Sequence, residues 1–93
     1  MISNCSSKWC SFFKAIHDQH RQAILELIRK YKKLNASQII SHLDLSQPTI
    51  SHHLKILRQA EIIKTEKKGK EVFYSLDEKQ IEDCCAGFMK HFS

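Results

Sequence analysis

One run of residues carries hydrogen-bonding groups and aliphatic anchors at interleaved helical spacing: Asp44-Leu45-Ser46-Gln47-Pro48-Thr49-Ile50-Ser51-His52-His53-Leu54-Lys55-Ile56-Leu57. Ile50, Leu54 and Leu57 fall at i, i+4, i+7 and anchor one face, leaving Gln47, Thr49, Ser51, His52 and Lys55 to point elsewhere. Those groups suit the edges of bases. Glutamine can bond adenine through two atoms, the threonine methyl can touch thymine, and serine and histidine can bond bases or phosphates. Ser46 is placed to cap the helix, and Pro48 sits in its first turn, where no intrahelical N–H is lost. An ordinary exposed helix would carry Glu and Lys on that face instead. Of the adjacent imidazoles, His53 is expected to pack inward and His52 to face outward. A second group is cationic: Lys67, Lys68 and Lys70 crowd the tip of a hairpin, where they suit phosphates and add salt-dependent affinity with little sequence discrimination. A third is sulfur, with Cys5 and Cys10 near one end of the chain and the vicinal pair Cys84-Cys85 near the other.

The elements that must position these groups are legible from periodicity. Trp9, Phe12, Phe13 and Ile16 share a helical stripe with Cys5 one turn earlier, predicting a first helix with a wide apolar face. Asp18 offers an N-cap to a second helix carrying Ala23, Ile24, Leu27, Ile28 and Tyr31. Asn35 and Gln38 form an amide variant of the capping box ahead of Ile39, Ile40 and Leu43. The link Asp44-Leu45-Ser46 is too short for anything but a tight turn, so the third and fourth helices make a helix-turn-helix pair. Two β-branched and aromatic runs, residues 62–67 and 71–76, flank Lys68-Gly69-Lys70 and predict a hairpin. Asp77 and Gln80 then start a last helix lined by Ile81, Cys84, Cys85, Phe88 and Phe92. His17 and His20 bracket the start of the second helix and read as capping or surface groups. The expected order is α-α-α-α-β-β-α, mainly α with a two-stranded β-wing.

With 93 residues the chain is read as one domain, 1–93, whose modest core makes a second copy a source of further buried surface. A net charge of +5 favours a polyanion, nucleic acid or an acidic membrane surface alike. No apolar run approaches the ~20 residues that span a bilayer, and the first residues lack the charged-then-apolar order of a signal peptide. The expectation is a cytoplasmic protein without membrane attachment, whose four cysteines are mostly thiols. A cysteine with a histidine base is minimal catalytic machinery, yet no Gly-rich phosphate loop or paired-acid motif accompanies it, so no enzyme and no required cofactor are expected.

Taken together, the residues resemble those of the ArsR/SmtB family of small dimeric winged helix-turn-helix repressors that answer to metals, arsenic or thiol chemistry. The resemblance covers residues 13–76. It rests on Phe13-Lys14-Ala15-Ile16, on the Arg21 to Leu27 segment, on the run from Leu45 to Leu57, and on Val72-Phe73-Tyr74-Ser75-Leu76. It implies a homodimer whose end helices, about 5–16 and 78–92, form the interface, with two recognition helices entering successive major grooves of a palindromic double-stranded DNA operator. It also implies that Ser46, Gln47, Pro48, Thr49, Ser51, His52 and Lys55 lie where bases or adjacent phosphates are met, with Lys67, Lys68 and Lys70 as phosphate clamps.

Many members carry a thiolate site at the start of the third helix, where this chain has Leu34-Asn35-Ala36-Ser37-Gln38-Ile39 and no cysteine. For the family's zinc site on the last helix, the nearest matches are Glu78, Gln80 and His91, with no fourth ligand. What remains is the sulfur at the two ends. If the end helices meet across the dimer as the resemblance implies, Cys84, Cys85, Cys5 and Cys10 could converge on a soft ion. Three thiolates would hold As(III) or Sb(III), and three or four would hold Cd, Pb or Zn. The vicinal pair resembles that of arsenic-responsive members, so arsenite is the favoured inducer. A thiol-redox or persulfide response and the absence of any small-molecule inducer stand as alternatives. So does plain burial of cysteine on an apolar stripe.

Overall fold

A computed structural model describes residues 7–91, so Cys5 and Phe92 lie outside the described residues, as do the side chains of Trp9, Phe88 and His91. The elements are α1 (Ser7–Ile16), α2 (Gln19–Tyr31), β1 (Leu34–Asn35), α3 (Ala36–His42), α4 (Gln47–Gln59), β2 (Ile63–Lys68), β3 (Glu71–Leu76) and α5 (Glu78–His91). Five helices and a hairpin follow in the expected order. The sheet has a third strand, because β1 pairs antiparallel with β3 through Leu34↔Tyr74 and Asn35↔Phe73 to give the order β1-β3-β2. Two residues are too few to show a strand's alternation, which is why sequence reading yields only a two-stranded wing.

The starts of α2, α3, α4 and α5 are each fixed by a side chain that takes an otherwise unpaired amide. Asp18 Oδ1 accepts from Arg21 N at 3.0 Å. Asn35 Oδ1 accepts from Gln38 N at 2.8 Å while Gln38 Oε1 accepts from Asn35 N at 2.9 Å, closing the capping box. Ser46 Oγ accepts from Thr49 N at 3.3 Å, with Pro48 in the first turn. Asp77 Oδ1 accepts from Gln80 N at 3.2 Å.

The end of α4 aims the wing. Ala60 is its C-cap, Glu61 turns left-handed at φ 60°, Glu61 N donates to Arg58 O at 2.9 Å and Ile62 N to Leu57 O at 3.0 Å. This pair of bonds is a Schellman closure, with buried Leu57 and Ile62 at the positions whose apolar contact usually accompanies it. β2 therefore leaves α4 in a set direction. The hairpin turns through Gly69 and Lys70, with Lys68 paired to Glu71, and Gly69 at φ 64° takes a conformation that side chains resist.

The core gathers one stripe from every helix: Phe12 and Ala15 from α1, Ile24 and Ile28 from α2, Ile39 from α3, Ile50, Leu54 and Leu57 from α4, and Cys84 from α5. Leu34, Ile62 and Ile63 close it from the sheet side. α1 packs against α2, α4 and α5, so the two end helices are neighbours within one subunit.

Candidate nucleic-acid interface

On α4, Ile50, His53, Leu54 and Leu57 are buried, and Gln47, Pro48, Ser51, His52 and Lys55 are exposed. The anchoring stripe lies where the aliphatic spacing placed it, and His52 and His53 separate as expected. Arg58 is exposed three residues beyond Lys55, on the face of Ser51 and Lys55. The i, i+4, i+7 spacing of Ser51, Lys55 and Arg58 was the signal for it, and the sequence reading stopped one turn short.

Two of the candidates are partly engaged inside the helix. Ser46 Oγ, besides capping Thr49 N, lies 2.8 Å from Thr49 Oγ1, so one hydroxyl donates to the other. That leaves the Thr49 methyl as the more available contact. Gln47 and Ser51 are exposed, and exposed Lys67, Lys68 and Lys70 cluster at the hairpin tip. The wing is tied to the segment that leads into α3: Asn35 Nδ2 donates to Glu71 Oε1 at 3.0 Å beside the hairpin turn, and Lys33 pairs with Glu66 in the middle of β2. The Lys33 ammonium, through its hydrogen bond, holds the Glu66 carboxyl below its usual range.

Behind α4 lies a contact that no local pattern announces. Arg21 Nη1 is 3.3 Å from His53 Nδ1, and because a guanidinium only donates, the imidazole accepts at Nδ1 and carries its proton on Nε2. Burial, at 8% exposure, pushes the His53 pKa below its usual 6.5, with Arg21, His20 and His52 adding to that and Asp18 opposing it. His20 is exposed, as a surface group, and also stacks on His53 at 5.8 Å between ring centroids, which ties it to α4. The backbone bond from Arg21 N, aided by the Arg21 charge, holds Asp18 below its usual range.

The sulfur atoms are arranged differently from the expectation. Cys10 is disulfide-bonded, whereas Cys84 and Cys85 are thiols. The expectation of thiols rested on the redox poise of a compartment, which says nothing of which sulfurs a fold brings within bonding reach. Cys84 is buried in the core at 1% exposure and Cys85 is exposed. Neighbours on a helix point about 100° apart, so the vicinal pair splits between core and surface. Among the described residues, no group of three or more His, Cys, Asp and Glu side chains within the subunit could hold a metal ion. No helix among them is long and apolar enough to cross a membrane.

A helix-turn-helix whose second helix turns a polar, cationic face outward, followed by a lysine-tipped hairpin paired with the strand that leads into the first, defines a winged-helix DNA-binding protein. The chain belongs to the arsR family of bacterial regulatory proteins, whose family model matches residues 18–65. It is 45% identical over 71 residues to the transcriptional repressor SdpR of Bacillus subtilis, a match covering 76% of this chain and 78% of that one. It is 34% identical over 73 residues to an arsenical resistance operon repressor of Staphylococcus aureus, covering 78% and 69%. The crystal structure of the transcriptional repressor PagR of Bacillus anthracis superposes with a TM-score of 0.72 at 30% identity, over 92% of this chain and 93% of that one. These relatives are regulators, so the chain is a regulator and not an enzyme.

Proposed function

We propose that the chain represses transcription as a homodimer, each subunit a single domain, by laying α4 in the major groove of a palindromic operator in the cytoplasm. The observation that carries this reading is the exposed polar face of α4 above a buried aliphatic stripe. Gln47, Ser51, His52 and the Thr49 methyl take the base edges, Ser46 and Pro48 shape the entry to the helix, and Lys55, Lys67, Lys68 and Lys70 take phosphates. The dimer is supported by α5, where Cys85 and Met89, one turn apart, are exposed, Met89 at 67%. A second copy would cover that stripe. Gel shifts with a duplex enriched by the protein from a random library, against a scrambled duplex at several salt concentrations, test the reading. Equal affinity for both duplexes at every salt concentration refutes it.

For the inducer, similarity to an arsenical resistance operon repressor supports a thiophilic metalloid, with arsenite ahead of antimonite and of Cd, Pb or Zn. The separated directions of Cys84 and Cys85 weigh against it within one subunit, so such a site needs Cys85 to meet sulfur across the dimer. The disulfide at Cys10 favours a second reading, a response to thiol oxidation. Titrating the enriched duplex complex with arsenite, and separately with a dithiol reductant, distinguishes the two. Release by arsenite that Cys85→Ser abolishes supports the metalloid; a change on reduction that Cys10→Ser abolishes supports the redox response. Indifference to both treatments leaves a repressor without such an inducer.

A further inference from the structure

Arg21 belongs to α2, yet its guanidinium serves two other helices. Nε donates to Ala15 O at 2.6 Å and Nη2 to Lys14 O at 3.3 Å, both carbonyls of the last turn of α1, where Lys14 O also accepts from His17 N at 3.3 Å. Nη1 donates to His53 Nδ1 on α4 at 3.3 Å. The Asp18 carboxylate stands 3.9 Å from Nη2, and the Arg21 side chain is only 14% exposed. Next to it, Gln22 Nε2 donates to Ile16 O at 2.8 Å, completing the closure of α1. One planar group thus spans the end of α1 and the inner face of the helix that carries Ser51 and His52.

We propose that Arg21 is a positioning residue for base readout: by bridging the C-terminus of α1 to His53, it sets the rotation of α4 about its own axis relative to α1. The inference rests on the base-reading role of α4 argued above. The rotation matters because successive side chains on a helix differ by about 100°, so a small turn of α4 moves Ser51 and His52 off a base edge while leaving cationic groups within reach of phosphates. Arginine is required for this role. A lysine keeps the charge but offers a point donor that cannot bond both helices in a fixed plane.

The test measures affinity for the duplex enriched by the wild-type protein and for a scrambled duplex, with helix content and melting followed by circular dichroism for every variant. Arg21→Lys is expected to lower affinity for the enriched duplex about tenfold, at the scale of one lost base contact, with little change on the scrambled duplex. His53→Asn, whose Oδ1 can stand near the position of Nδ1, is expected to keep the ratio of the two affinities. His53→Leu is expected to lower that ratio as Arg21→Lys does, and the double variant to lose no more than either single one. A merely structural arginine would change melting and leave the ratio alone. An unchanged ratio in folded Arg21→Lys, or losses that multiply in the double variant, overturns the proposal. Should Arg21→Lys fail to fold, the His53→Asn and His53→Leu pair decides: equal ratios in the two overturn it. A wild-type protein that enriches no duplex overturns the base-reading role itself, a different failure.

Discussion

Asn35 Nδ2 donates to Glu71 Oε1 at 3.0 Å, so the residue that closes the capping box of α3 also grips the first residue of β3. Asn35→Ala removes the cap and the grip together. The cap alone is worth about 1 kcal/mol, which in a domain of this size lowers Tm by roughly 4–8 °C. A melt followed by circular dichroism checks this, and an unshifted Tm would show that the box contributes nothing.

Glu61 holds a left-handed conformation at the Schellman closure of α4, a place where glycine is at ease and glutamate is strained. Glu61→Gly is expected to stabilise the fold by about 1 kcal/mol, since the relieved strain exceeds the added freedom of the unfolded chain. A urea midpoint that rises without a change in slope is the expected result; a fall would contradict the assignment of strain.

His53 and Asp18 give stability a pH dependence of one sign. Burial depresses the His53 pKa below 6.5, so the unfolded chain binds this proton first. Stability is full above pH 6.5 and declines as pH falls below it. Asp18, held below 3.8 chiefly by the Arg21 amide, contributes stability that is present above that value and lost as pH falls further. Urea midpoints across pH 4 to 8 are expected to fall toward acid, and His53→Asn is expected to flatten the upper part of that fall. The same slope in His53→Asn would assign the effect to another group.

Ser46 and Ser51 are expected to separate stability from readout. Ser46→Ala removes a cap and costs about 1 kcal/mol of folding stability. Ser51→Ala touches an exposed side chain and leaves stability within about 0.5 kcal/mol, yet weakens binding to the enriched duplex by about 1–3 kcal/mol. Paired melts and binding isotherms show whether the two effects part as stated; equal loss by Ser51→Ala on enriched and scrambled DNA would remove it from base contact.

Lys67→Ala with Lys70→Ala is expected to weaken binding to all duplexes alike. The slope of log affinity against log salt should fall by about 1 for each phosphate contact removed. An unchanged slope would leave the hairpin tip without a DNA role.

The architecture was largely written in local patterns. The buried stripe of α4, the caps at Asp18, Asn35 and Ser46, and the hairpin around Gly69 each depend on residues within a turn or two of one another, which is the range over which periodicity and capping act. What stayed hidden is long-range or short-lived. The Arg21–His53 contact joins residues 32 positions apart, and nothing in either neighbourhood names the other. β1 lasts two residues, and its partner is on β3. The split of Cys84 from Cys85 was readable from helical geometry, but the attraction of a paired-thiol site drew attention to adjacency in sequence and away from direction in space.

The sheet order β1-β3-β2 leaves β3 flanked on both sides and β2 as a six-residue margin open along its outer side. An open strand margin is a template on which another molecule can zip itself. Lys64, Glu66, Lys67 and Lys68 are all exposed along this one, so a second copy that approached margin to margin would bring ammonium groups against each other. Lys67 and Lys68, proposed above as phosphate clamps, would therefore also oppose fibril-like self-addition.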